Sequence, residues 1–195
     1  MIPDPNDVSE LIARRRTIKP AEYTNKPVDE SLIEQILTAA NWAPTHGHTE
    51  PWRFHVFVDA ARKRLGQFLS STYREITDDE HYKEAKFEKL LQNPQLAPCV
   101  IAVCMKRQDI EKILEIEEVE AVACAVQNMH LMATAVGLAA FWSSNPVVYT
   151  DNMNRFLGLG ERDKCLGLFY LGHAAVNWPD GKRSPIADKV RWIRL

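Results

Sequence analysis

The chain has 195 residues, 46% of them hydrophobic, with 24 Lys and Arg against 26 Asp and Glu. This length and apolar fraction suit one domain, residues 1–195, with a sizeable core, and they exclude a disordered chain. A net charge of -2 argues against nucleic acid or an anionic membrane as partner, because both call for a basic excess.

The first helix is announced by Asp4 as N-cap, Pro5 in the first turn and Asp7 as capping acid, followed by Val8, Leu11 and Ile12 at helical spacing. Continuing that stripe leads to Arg15 and Arg16. A guanidinium keeps its charge, so one that points inward needs an anion. The alternative is that both arginines merely complement the dipole of the last turn. A second helix starts at the Asp29 cap, carries Leu32, Ile33, Ile36, Leu37 and Ala40 on one face, and stops at Pro44. The loop "THGHTEP" follows, and "WRFHVFV" (52–58) alternates as a strand should.

Asp59 opens a third helix through about Tyr73. Residues 74–92 are dense in Asp, Glu and Lys, which fits an exposed helix or a flap with no assigned chemistry. "PCVIAVCM" (98–105) is a buried strand, and Asp109 is placed to cap the helix after it. "AVACAVQNMHLMATA" (121–135) is apolar almost all round, so it reads as a long central helix ended by Gly137, with His130 a hydrogen-bonded core residue or, less simply, a ligand. "LAAFW", "CLGLFYLGH" and the terminal "KVRWIRL" supply further strands, with a short helix capped near Thr150 or Asp151 between the first two. Runs of strand and helix without an internal repeat make an α+β fold.

Cys99, Cys104, Cys124 and Cys165 sit in apolar runs with no C-x-x-C pair, as buried thiols of a reducing compartment do. The start "MIPDPNDVSE" has no charged lead or apolar core, and no apolar run approaches the roughly 18 residues of a membrane span. A cytoplasmic protein with no membrane partner is the expectation.

No P-loop, strand-linked G-x-G-x-x-G or G-x-S-x-G elbow is present, which argues against P-loop, Rossmann and elbow-type hydrolase chemistry. In "APTHGHTEPWRF", His46, His48 and Glu50 have the residue types of a divalent-metal site, and a metal-dependent hydrolase is one reading of them. The other is a loop fixed by Pro44 and Pro51 that covers a flat ligand and offers it hydrogen bonds. Near the end, "PDGKRSP" carries Lys182 and Arg183 in a turn. Cations from both ends of the chain, converging on one phosphate, would account for inward arginines.

Taken in order, "RRRTIK", "APTHGHTEPWRF", "CAVQNMHLMATAVGLAAFW", "CLGLFYLG" and the late basic turn resemble the FMN-dependent nitroreductase family, and in particular its short bacterial NAD(P)H nitroreductase members. The resemblance covers nearly the whole chain. It implies a three-layer α/β/α sandwich with a mainly antiparallel mixed sheet, and a homodimer with FMN at the interface. It also implies NADH or NADPH as donor and a ping-pong reduction of nitroaromatic, quinone-like or other electron-poor acceptors through flavin N5. Arg15 and Thr17 are then expected at the FMN phosphate or ribityl chain with Arg183 and its neighbour Lys182, Lys19 at the N1/O2 edge, and Arg16 at a variable position of the motif. Pro44, Thr45, His46, His48 and Glu50 would cover the cofactor from the other subunit. His48 and Glu50 stand where the family commonly has Asn and Gln, and a carboxylate cannot donate the amide's hydrogen bonds. Trp142, Ser143, Ser144 and Asn145 match the turn near flavin N5, although Trp142 also suits core packing. No protein nucleophile is implied, and His46 is a candidate proton donor. A non-catalytic FMN carrier or sensor is the alternative with the same cofactor.

Overall fold

Cys99–Met105 is buried at all seven positions, because the strand it forms, β2, is covered on both faces. A strand in that position must read as a continuous apolar run instead of an alternating one. It lies inside an antiparallel sheet of order β1-β2-β4-β3, with β1 at Trp52–Phe57, β3 at Ala139–Ser143 and β4 at Lys164–Gly172. Among the described residues the sheet has a parallel element only as a single bridge, Thr17 to Ala140, which lays residues 15–19 along β3. The computed structural model describes residues 2–110 and 112–194.

Alternate residues of β2 face two separate cores. Ile101, Val103 and Met105 pack with Phe169, Leu171 and the helices α2 (Glu30–Ala40) and α5 (Glu115–Ala135). Val100, Ala102 and Cys104 pack with Tyr170, Leu168, α3 (Asp59–Ile76), α4 (Glu84–Leu96) and α6 (Asp151–Leu157). Helices on both faces give the three-layer α/β/α sandwich. The remaining helix, α1 at Pro5–Arg14, is capped by Asp4, whose side chain accepts from the Asn6 N–H, and it buries no residue in this chain.

Several sequence expectations change. Of the two readings of the charged stretch after α3, the helix holds, though with an inner face: α4 turns Leu90 and Pro94 inward against α3, and Gly66 lies so close to the Leu91 carbonyl that an added Cβ would stand 2.2 Å from it. α5 begins at Glu115, six residues earlier than its apolar run, because its first turn is acidic and suits a helix N-terminus. Among the described residues Asp109 caps no helix; it pairs with Arg162. Gly137 ends the helix as expected, at φ 75. The terminal "KVRWIRL" makes no strand among the described residues, since the sheet edge beside β3 is already taken by the 15–19 segment. Cys124 is exposed on α5 while the other three thiols are buried, because it faces away from the sheet. No described helix is long and apolar enough to cross a membrane.

Candidate functional site

The two ends of the chain zip together, and that is what gathers the basic residues. Beyond β4 the chain runs antiparallel to residues 14–24. Thr24 N–H donates to the His173 carbonyl, Ala175 N–H to Glu22, and the Trp178 indole to Arg14. Arg16 completes the seam: its Nε donates to Pro179 O at 2.8 Å, and one Nη to the Ala13 and Arg15 carbonyls. Arg16 thus clamps the seam through its Nε and one Nη, while its other Nη has no hydrogen bond among the described residues.

Arg15 is different. Its guanidinium makes no ion pair among the described residues, and its pKa is lowered by burial first, then by the charges of Arg183 and Arg16. A half-buried cation with cations for neighbours is a set of donors waiting for an anion. Lys182 and Arg183 are exposed, and Arg183 spends one Nη on the Lys182 carbonyl. Thr17 bridges to Ala140 with its side chain exposed.

Lys19 lies two residues on, beside the end of β3. It shares a cavity of about 360 Å³ with Ser143 and Asn145, floored by Phe141 and Tyr170. Asn145 also accepts from the Val147 N–H, which turns the chain out of β3. Ser144 is exposed in that turn. Trp142 is half-buried and packs on the α2/α5 core, and its indole N–H is buried without a partner among the described residues.

The second group lies elsewhere. Pro44, Thr45, His48 and Glu50 line a cleft with Trp42 and Trp52 at the start of β1. Two non-glycine residues here, His48 at φ 55 and Glu50 at φ 43, hold left-handed backbone, a strain found disproportionately at functional loops. Thr45 Oγ1 supports it by accepting from the Glu50 N–H and pairing with the Thr49 hydroxyl at 2.9 Å. His46 turns its Nδ1 to Glu117 on α5, 2.9 Å away. His46, His48 and Glu50 do not gather into a metal-ligand cluster, and no group of three such ligands occurs among the described residues.

β1 and β3 occupy opposite edges of the sheet, separated by β2 and β4. Three strand spacings amount to about 14 Å. One chain thus brings together Arg15, Thr17, Lys19, Ser143, Asn145 and Arg183 at one edge, and the 44–50 loop at the other.

His130 was not placed in the site by its sequence position alone. It is buried on α5 with its ring edge on Phe169, centroids 4.7 Å apart, and its Nδ1 has no partner among the described residues. The hydrogen-bonded core histidine expected from sequence is therefore core without the hydrogen bond. Burial, then the charge of Arg15, push its pKa down to about 4. Nothing in the sequence signals its closeness to Arg15.

Residues 12–173 match the model of the Nitroreductase family. The protein named Nitroreductase NfnB of Mycolicibacterium smegmatis is 32% identical over 217 residues, covering 94% of this chain and 92% of that protein. Among solved structures, a nitroreductase-like family protein from Bacillus cereus superposes with a TM-score of 0.84 at 26% identity, covering 99% of both chains. The FMN-dependent nitroreductase NfnB from Mycobacterium smegmatis, solved in complex with NADPH, has the same fold, with a TM-score of 0.71 at 22% identity over 98% of this chain and 100% of that one.

Proposed function

The chain belongs to the nitroreductase family, and from that premise we propose that it is an FMN-dependent oxidoreductase reducing nitroaromatic, quinone-like or other electron-poor acceptors with NADH or NADPH. The observation that carries this reading is Arg15, half-buried, beside the exposed Arg183, with no carboxylate paired to either among the described residues. Such a donor set fits the phosphate of FMN, and bidentate Arg–phosphate bonds offset the cost of burying the guanidinium.

When bound there, FMN would supply the redox chemistry, two-electron transfer through N5 from the nicotinamide to the acceptor in a ping-pong cycle. The protein's part is orientation and charge. Arg15, Thr17, Arg183 and Lys182 hold the phosphate end. Lys19 would hold the N1/O2 edge, its cation favouring the negative charge that reduction places there. The turn of Trp142, Ser143, Ser144 and Asn145 presents backbone and side-chain donors beside the pocket wall. His46 donates from Nδ1 to the Glu117 carboxylate, which accepts only. Its Nε2 then carries a proton for the reduced acceptor only in the imidazolium form, because the neutral ring with its proton on Nδ1 offers a lone pair there. Glu50 contributes acceptor oxygens where an amide would both donate and accept.

The 44–50 loop lies at the far sheet edge from Arg15, so a complete site takes that loop from a second copy, and we assign the protein as a homodimer of one nitroreductase-like domain spanning 1–195. Support comes from apolar surface that one chain leaves open: Trp42 is 83% exposed, and it borders a groove with Leu11, Leu131 and Met132. The four free thiols favour a cytoplasmic, reducing setting.

The test is a visible absorbance spectrum after FMN addition and desalting, followed anaerobically by NADPH and then NADH. Flavin that is retained and bleaches supports the reductase. Retention without bleaching turns the reading toward a carrier or sensor, and no retention removes the phosphate role of Arg15.

A further inference from the structure

Helix α1 leaves its last carbonyls without partners of its own, as every helix does. Side chains supply them. Arg16 Nη1 donates to the Ala13 carbonyl, and the Trp178 indole of the returning tail donates to the Arg14 carbonyl at 2.6 Å. Arg16 reaches further: the same Nη1 donates to the Arg15 carbonyl at 2.7 Å, and Nε donates to Pro179 O at 2.8 Å. One half-buried guanidinium thus ties together the end of α1, the backbone of Arg15 and the tail. No carboxylate pairs with it among the described residues.

Gly181 makes this reach possible. A Cβ placed there would fall on the Arg16 guanidinium, against Nη2 and Cζ and 2.8 Å from Nη1. A backbone can come this close only where it carries no side chain. The obstacle that an alanine would meet is the far end of a flexible side chain, not backbone, so Gly181→Ala should fold and push Arg16 out of its place.

The position of the contact gives it a consequence. Among the described residues, the bond to Pro179 is the last hydrogen bond between the tail and the rest of the chain before Arg183; those recorded beyond it stay within the tail. Arg183 itself is exposed, yet its charge acts on Arg15. A long side chain on a loose tail would lose much conformational freedom on gripping a phosphate, and holding its backbone in advance lowers that cost.

We propose that Arg16 and Gly181 form a latch that positions Arg183 for the FMN phosphate. Arg16 is then a positioning residue that acts through the tail, and Gly181 is the glycine that its guanidinium requires. The inference rests on the phosphate role given above to Arg15 and Arg183. It adds a share of cofactor affinity supplied by residues that do not touch the cofactor.

The experiment titrates the purified protein with FMN and with riboflavin, which lacks the phosphate, and follows the quenching of flavin fluorescence. The variants are Gly181→Ala, Arg16→Lys, Arg183→Ala and the double variant Gly181→Ala/Arg183→Ala. The wild type should prefer FMN about a hundred-fold, from two charged hydrogen bonds at the phosphate. Gly181→Ala should cut that preference about ten-fold and leave riboflavin binding unchanged. Arg16→Lys should do the same, because an ammonium cannot reproduce the planar fork that spans these carbonyls. On the Arg183→Ala background, Gly181→Ala should cost little more, since both act through one side chain. Full FMN preference in Gly181→Ala and Arg16→Lys overturns the inference. Equal weakening of FMN and riboflavin in these variants also overturns it, because the contact then only holds the fold. A further ten-fold loss of preference from Gly181→Ala on the Arg183→Ala background would mean that Arg16 grips the phosphate itself, and overturns it as well. A wild type that binds both flavins alike removes the phosphate reading of Arg15 and Arg183, and the latch falls with it.

Discussion

His46 Nδ1 stands 2.9 Å from Glu117 Oε1, and the other oxygen of that carboxylate accepts from the Leu114 N–H at 2.8 Å. One side chain therefore caps the first turn of α5 and holds the 44–50 loop. The Leu114 N–H and then His46 keep the Glu117 carboxyl below the usual carboxylate range, so it is ionised at neutral pH and His46 is the donor. Glu117→Gln should loosen the loop, with amide exchange across 44–50 roughly two- to five-fold faster, as suits one half-exposed charged contact. Exchange mass spectrometry reads this, and unchanged exchange would mean that the left-handed backbone holds the loop without His46.

The cations at the phosphate end can be separated by substitution. Arg15→Ala and Arg183→Ala should each weaken FMN by about 1.5 to 3 kcal/mol, the loss of a charged hydrogen bond. Arg16→Ala should act differently, because its donors hold Ala13, Arg15 and Pro179 carbonyls. It should free the tail, seen as faster cleavage after residue 176 in limited proteolysis. FMN affinity equal to wild type in both Arg15→Ala and Arg183→Ala would end the phosphate assignment.

The start of α5 is also anchored from beneath. Glu118 is 1% exposed and accepts from Arg107 Nη1 at 2.6 Å and from the Gln108 N–H at 3.2 Å, while Arg107 Nη2 donates to the Ile113 carbonyl. Glu118→Ala strands a mostly buried guanidinium and should cost about 3 to 5 kcal/mol. Glu118→Gln, which keeps an acceptor oxygen, should cost less. Urea unfolding compares them, and equal midpoints for the two variants would show that the amide oxygen replaces none of the carboxylate's role, while a Gln midpoint equal to wild type would show that the charge itself contributes nothing.

His130 gives the protein an acid-sensitive core. Its folded pKa near 4 lies below the unfolded value of about 6.5. Between those values the unfolded chain binds a proton that the folded chain refuses, so stability falls as pH drops through that window and is level above it. The loss amounts to about 3 kcal/mol by about pH 4. His130→Leu should flatten that part of the stability curve, as measured by urea midpoints near pH 7 and about pH 4.5. The same acid slope in variant and wild type would place the sensitivity in other groups.

Local signals in the chain were enough for most of the elements. Asp4 and Asp29 cap helices because their side chains reach N–H groups only two residues away. The unbroken run of Cys99–Met105 reports a strand covered on both faces, and Gly137 marks a helix end, since each depends on its own neighbourhood. Even the basic character of both chain ends was legible, as was the order of motifs that the family resemblance rests on.

What the sequence could not contain is which distant groups share a space. Arg15 and Arg16 look equivalent in "RRRTIK", yet the returning tail occupies Arg16 and leaves Arg15 open. Lys89 reads as one charge in a solvated stretch until α4 docks on α3 and turns it toward Lys19. The 44–50 loop is set apart from Arg15 by the strand order, which no local pattern encodes. Side-chain spacing along one element is fixed by backbone geometry and can be read in one dimension. The partners of a charge are set by packing among elements far apart in the chain, and those contacts exist only once the fold is complete.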